Sequence, residues 1–148
     1  MIASTVVVLI SVGAYFACLW GGDSRAYLLR DGVLLRLTRD HSLVQAMVDD
    51  SNITEAEAAG HPQANVILRA VGAGETDLEL DKVVSEMLAG DRFLLCSDGL
   101  TKSLTEAELA APLDAPDGIP PPDLLIQAAL AHQATNNVTA VTVEVRAE

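Results

Sequence analysis

An apolar run stops abruptly at a carboxylate. Residues Arg92 to Cys96 (RFLLC) have the composition of a central strand, and Ser97-Asp98-Gly99 follows at once. A carboxylate at a strand end, with a glycine behind it that lets the backbone turn, is held rigidly at the edge of a core. Hard divalent cations take oxygen ligands placed in that way, so Asp98 is the first candidate metal ligand. Taken alone, Ser-Asp-Gly is more often a plain turn. Asp23, in Gly22-Asp23-Ser24-Arg25, is a second candidate between two strand-like runs. Its simpler alternative is a loop aspartate bonded to its own backbone. Arg25 beside it reads as a structural partner of a carboxylate or of backbone carbonyls. His41, His61 and His132 are scattered and read as helix-end or surface residues. Cys18 and Cys96 lie inside apolar runs and match no metal-binding or redox spacing, so they read as core thiols of a protein in a reducing cytoplasm.

The elements that must position these residues are strands first. Thr5 to Ile10 and Ala14 to Leu19 are apolar and rich in β-branched residues, joined at Ser11-Val12-Gly13. Ala26 to Arg30 and Val33 to Leu37 flank Asp31-Gly32, the strongest short-range signal for a hairpin. Helical patterns follow. Leu43, Val44, Met47 and Val48 recur at helical spacing behind Ser42 or Asp40 as cap. Thr54 with Glu57 forms a capping box for a short helix that ends near Gly60 and Pro62, and Asn65 to Val71 reads as another short helix. Strand patterns return at Leu78 to Val84 and Arg92 to Cys96, with a turn at Ala89-Gly90-Asp91 between them. A second capping box, Thr105 with Glu108, opens a helix to about Ala111. Pro112 to Pro122 reads as a surface loop, Asp123 as the cap of a helix over Leu124 to Ala134, and Val138 to Val145 as a last strand. Without strict βαβ alternation, this order predicts an α+β fold with antiparallel sheets.

Composition narrows the function. The chain has 148 residues, half of them hydrophobic, which suits a single domain with a sizeable core. Nine basic residues against 21 acidic ones give a net charge of −12, and such a surface cannot supply the cationic field that nucleic acid needs. Nucleic acid is therefore excluded as a partner. Ile2 to Trp20 carries no charge and reaches the length of a membrane helix, about 20 residues. Its β-branched runs, its break at Gly13 and the lack of flanking basic residues favour two buried strands and no membrane partner.

Three segments, GDSRAYLLRDG (Gly22 to Gly32), FLLCSDGL (Phe93 to Leu100) and NNVTAVTVEV (Asn136 to Val145), together resemble the protein phosphatase 2C family of metal-dependent Ser/Thr phosphatases. Asp40 to Gly72 resembles the helical flap of the bacterial members, and the likeness covers nearly the whole chain. It implies one partial domain over residues 1–148: a two-layer antiparallel β-sandwich with helices on both outer faces, incomplete at its N-terminal side. It further implies that Asp98 binds a metal and that Asp23 is associated with a third, weakly held one. The position of Asn136 is an Asp in the family, bound to the same metal as Asp98. An amide oxygen can ligate magnesium or manganese, but without charge, so affinity there should fall.

What the resemblance implies about function is a binuclear magnesium or manganese site, with a bridging water that attacks the phosphorus of phosphoserine or phosphothreonine. The substrate would be a phosphorylated protein, and the enzyme would oppose a bacterial Ser/Thr kinase. The family's opening acidic motif and the DG motif, with the bridging Asp, second-metal Glu, proton-donating His and phosphate-binding Arg, have no matching position here and are expected upstream of Met1. No catalytic residue is assigned, and the chain alone is expected to be inactive. The alternative is a non-catalytic module that binds a phosphoprotein or kinase without turnover.

Overall fold

A computed structural model describes residues 2–74, 77–115 and 118–148. The apolar, β-branched run near the N-terminus folds into β1 (Val6–Val12) and β2 (Tyr15–Gly21), which pair antiparallel around Gly13. With β5 (Asp81–Glu86) they form a three-stranded sheet ordered β1-β2-β5. A four-stranded sheet, ordered β4-β3-β6-β7, contains β3 (Arg25–Arg30), β4 (Val33–Arg36), β6 (Arg92–Cys96) and β7 (Ala140–Glu144). Asp31 and Gly32 both take positive φ in the β3–β4 turn, as a two-residue hairpin with the right twist requires.

The two sheets pack face to face. Phe16, Cys18 and Trp20 alternate along β2 and meet Ala26 and Leu28 of β3 and Phe93 of β6. Phe16 and Phe93 touch edge to face at 4.9 Å between ring centroids. The central strands β3 and β6 are buried on both faces, which is why their sequences run apolar without alternation. Their second face carries Tyr27, Leu29, Leu94 and Cys96. These pack against Leu109 and Leu113 of α4 (Glu106–Asp114) and Leu125 and Ala129 of α5 (Pro121–Ala131). Cys18 and Cys96 are free and buried, and burial pushes their thiols up to about 11 and about 12.

The α+β sandwich predicted from the sequence is thus the architecture observed. Of the two helical layers expected, the described residues place one, over the four-stranded sheet. Among the described residues no helix covers the opposite face of the three-stranded sheet, where Val8, Ile10, Val12, Tyr15 and Val84 are exposed. No helix among the described residues is long and apolar enough to cross a membrane.

Several elements differ from their predicted bounds. The strand predicted over Leu78 to Val84 begins at Asp81. Asn65 to Val71 is not a helix. It is an extended stretch whose backbone bonds to His41, Leu43 and Ser4, while its apolar side chains Val66, Ile67, Leu68 and Val71 stay exposed. The loop predicted over Pro112 to Pro122 is largely helical at its ends. Pro112 lies inside α4, where the burial of Leu109 and Leu113 outweighs a lost hydrogen bond near the helix end. Pro121 opens α5, a position where its missing N–H has no intrahelical partner to lose. Asp123 therefore sits in the first turn and is not the cap. Pro116 and Asp117, inside that predicted loop, lie outside the described residues. Both capping boxes form as expected, at Thr54 for α2 (Glu55–Ala59) and at Thr105 for α4. Ser42 rather than Asp40 caps α1 (Leu43–Asp49).

Candidate functional site

Asp98 opens α3 (Asp98–Thr101), a single helical turn directly after β6. The sequence reading of a sharp glycine turn is corrected here: Gly99 has ordinary backbone angles, and its lack of a side chain serves a close approach. A Cβ on Gly99 would overlap the backbone carbonyls of Asn137 and Asn136. The antiparallel ladder of β6 and β7, ending at the pair Cys96 and Ala140, brings that Asn-Asn segment alongside. Ser97 fastens it, its Oγ donating to the Asn137 carbonyl (3.2 Å) and accepting from the Thr139 N–H (3.0 Å). Gly99→Ala is therefore expected to destabilise the fold by about 1–3 kcal/mol, as overpacking does. Denaturant unfolding measures it; a neutral variant would show that the Asn136 segment yields without cost.

Asp23 reaches the site from the loop between β2 and β3 and is buried, with 7% of its surface exposed. Gly22 holds a φ of +119°, and a Cβ there would run into the Thr5 side chain. His41 clamps Gly22 from two directions. The Gly22 N–H donates to His41 Nδ1 (3.0 Å), and the His41 N–H donates to the Gly22 carbonyl (2.9 Å). With Nδ1 accepting, Nε2 carries the proton and donates to Asp81 Oδ2 at 2.7 Å. That contact, the largest influence on it, holds the Asp81 carboxyl below its ordinary range. His41 is thus a part-buried brace for the Asp23 loop, beyond the surface role its sequence context suggested.

Arg25 is structural, as read. Its Nε and Nη2 donate to the two oxygens of Asp40 (2.9 and 2.8 Å) and its Nη1 to the Tyr27 hydroxyl (3.1 Å). Burial opposes the Arg25 charge, but Asp40 and Tyr27 together outweigh it and hold the guanidinium above its ordinary range. Arg36 Nη2 lies 2.8 Å from the same carboxylate, an ion contact at an angle unsuited to a hydrogen bond.

Asp98 and Asp23 line one cleft of about 300 Å³, whose lining also includes Val44, Val48, Ala58 and Ala64. The proximity is visible electrostatically. Burial, and next the charge of Asp98, push the Asp23 carboxyl above its ordinary range, while Lys102 pulls it down. Asn136 joins from the rim, its Nδ2 donating to Asp98 Oδ2 at 3.3 Å. So the structure brings the three predicted residues together, with Asn136 exposed and Asp23 buried. Two carboxylates and one amide suit a hard cation, but among the described residues no three His, Cys, Asp or Glu side chains form a ligand set. Sequence reasoning missed Lys102, whose Nζ lies 2.8 Å from Asp98 Oδ2. The signal was present: an acid and a lysine four residues apart pair once the segment is taken as helix instead of turn.

No protein-family model matches the chain. It is 42% identical over 124 residues to the serine/threonine protein phosphatase PstP of Mycobacterium tuberculosis, covering 84% of this chain and 24% of that protein. It is 39% identical to the serine/threonine phosphatase stp of Listeria monocytogenes, covering 83% and 49%. Among solved structures, PppA of Pseudomonas aeruginosa superposes with a TM-score of 0.85 at 43% identity, over 95% of this chain and 56% of that one. The PstP catalytic domain in complex with two manganese ions gives 0.87 at 35% identity, over 98% and 60%. A sandwich with paired carboxylates at one end, matched at this level to serine/threonine phosphatases, defines the class. Over most of its own length the chain is similar to part of these serine/threonine phosphatases, and also to a putative 2C-type protein phosphatase of Streptococcus pyogenes at 41% identity, covering 70% of this chain and 41% of that protein. It spans about half the length, or less, of the curated relatives it matches.

Proposed function

We propose that this chain contributes part of the active site of a metal-dependent protein Ser/Thr phosphatase of the bacterial type. Asp98 and Asp23 are its metal-binding carboxylates and Asn136 a weaker, neutral ligand for magnesium or manganese. The observation that carries this reading is the convergence of two carboxylates on a single cleft, one of them pushed up by burial first and by the charge of the other next. Bound divalent ions supply an activated water and offset charge on the phosphoryl oxygens. The chain's own residues hold the carboxylates in place: His41 braces the loop of Asp23, and Gly99 and Ser97 fix Asn136 beside Asp98. The substrates are phosphoserine and phosphothreonine of proteins, with a Ser/Thr kinase as the opposing enzyme. Residues 1–148 act as one partial domain, and Asp40 to Gly72 is its flap, forming the cleft wall where a phosphoprotein would dock. Two buried free thiols favour the cytoplasm.

The three proposed ligands are too few to hold two ions, so the chain alone is expected to leave a phosphothreonine peptide intact in the presence of Mn²⁺. A chimera that joins it to the complementary part of the PstP catalytic domain should hydrolyse the peptide, and Asp98→Ala should abolish that. The contact of Lys102 with Asp98 and the amide at position 136 favour a second reading, a non-catalytic phosphoprotein-binding module. That reading predicts peptide binding by the chimera that survives Asp98→Ala, with no turnover. Hydrolysis by the 148-residue chain itself would overturn both.

A further inference from the structure

The cleft contains a cation of its own. Lys102 follows Asp98 by one helical turn, and its Nζ donates both to Asp98 Oδ2, at 2.8 Å, and to Asn65 Oδ1. Asn65 lies in the stretch after α2, within the Asp40–Gly72 segment that walls the cleft. One ammonium therefore joins the candidate metal ligand on α3 to the segment that carries Asn65, whose neighbour Ala64 lines the cleft. Asn136 donates to the same Asp98 oxygen, so that oxygen is already bonded from two sides.

We propose that Lys102 is a built-in counter-cation: it occupies the carboxylate that would receive a divalent ion and latches the Asn65 wall to it, so that metal entry and latch closure exclude one another. This rests on the reading of Asp98 as a metal ligand. An ammonium and a divalent ion on one carboxylate oxygen repel strongly at such short range. The lysine stem is long and one-third exposed, so the ammonium can swing into solvent when an ion arrives. Doing so gives up the bond to Asn65. Metal binding then releases the wall segment, and a docked wall disfavours metal; the coupling is reciprocal.

The test is a Mn²⁺ titration of the 148-residue chain, followed by calorimetry, together with amide hydrogen exchange over His61 to Leu68. Lys102→Gln should bind Mn²⁺ about ten-fold more tightly, the scale expected for removing one repelling charge near a partly exposed site. Lys102→Arg, which keeps the charge, should bind like the native chain. Exchange over His61 to Leu68 should quicken when Mn²⁺ is added to the native chain, and equally in Lys102→Gln without metal. If Asp98→Ala binds Mn²⁺ as the native chain does, the metal reading falls and the latch with it. If Asp98→Ala loses the ion while Lys102→Gln binds no better, or while Lys102→Arg gains as much as Lys102→Gln, the metal reading stands and the latch is overturned. Unchanged exchange in Lys102→Gln likewise overturns it.

Discussion

Asp91→Ala is expected to cost about 3 kcal/mol of folding stability, the lower end of the range for breaking a buried ion pair by removing one partner. Asp91 is 1% exposed at the entry to β6. Its Oδ1 accepts from Arg30 Nε (2.8 Å), and its Oδ2 from Arg30 Nη2 (2.7 Å) and the Leu88 N–H (2.8 Å). The pair joins the end of β3 to the start of β6, the two central strands. Truncation strands a backbone N–H and a guanidinium, but Arg30 is one-quarter exposed and water can take up part of its charge, which places the cost low in the range. Asp91→Asn keeps the shape and should cost less. The bonds from Arg30, the largest influence, hold the Asp91 carboxyl below its ordinary 3.8. A depressed carboxylate contributes stability that is full above its unfolded value and is lost as pH falls through the folded one. Urea unfolding between about pH 5 and pH 2 should therefore show a loss in the native chain that Asp91→Asn lacks. A cost below about 1 kcal/mol for Asp91→Ala would place this pair with ordinary surface bridges.

Much of the architecture that carries the site was legible because its signals are local. The β-branched apolar runs, the Asp31-Gly32 turn and the capping boxes at Thr54 and Thr105 each specify backbone geometry within a few residues, and each forms. Proline misled where burial or position neutralised its usual effect, at Pro112 and Pro121. The short helix read over Asn65 to Val71 did not form for another reason. Those side chains are not core: the segment is placed by backbone bonds to residues distant in sequence, which no periodicity records. At the site, Asp98 and Asp23 stood out as carboxylates at strand ends. His41, Asp81 and Lys102 did not, because their roles exist only once β2, β5, α3 and the wall segment are brought together. Gly99 was singled out for the wrong property, since its need for a bare Cα arises from the distant Asn137 carbonyl.

Asn136→Asp is expected to raise Mn²⁺ affinity about ten-fold, or roughly 1.4 kcal/mol, against the native chain. The native amide contributes a dipole where a carboxylate would contribute a full charge, and charge is much of what retains a hard cation. It also spends a hydrogen on Asp98, donating from Nδ2 to the oxygen an ion would use. In the variant that donation is lost, and two carboxylates face each other with Asp23 close behind. Without metal they repel, and a divalent cation between them relieves it. Lys102 limits the gain, because its ammonium can pair with either carboxylate. Calorimetric titration should rank Asn136→Asp above the native chain and the native chain above Asp98→Ala. The variant also separates charge from geometry: the backbone at position 136 is fixed by Ser97 and the tight approach to Gly99, so side-chain charge is what changes. Equal affinity in Asn136→Asp and the native chain, with Asp98→Ala still losing the ion, would remove residue 136 from the metal's ligands and leave Asp98 and Asp23 to hold it alone.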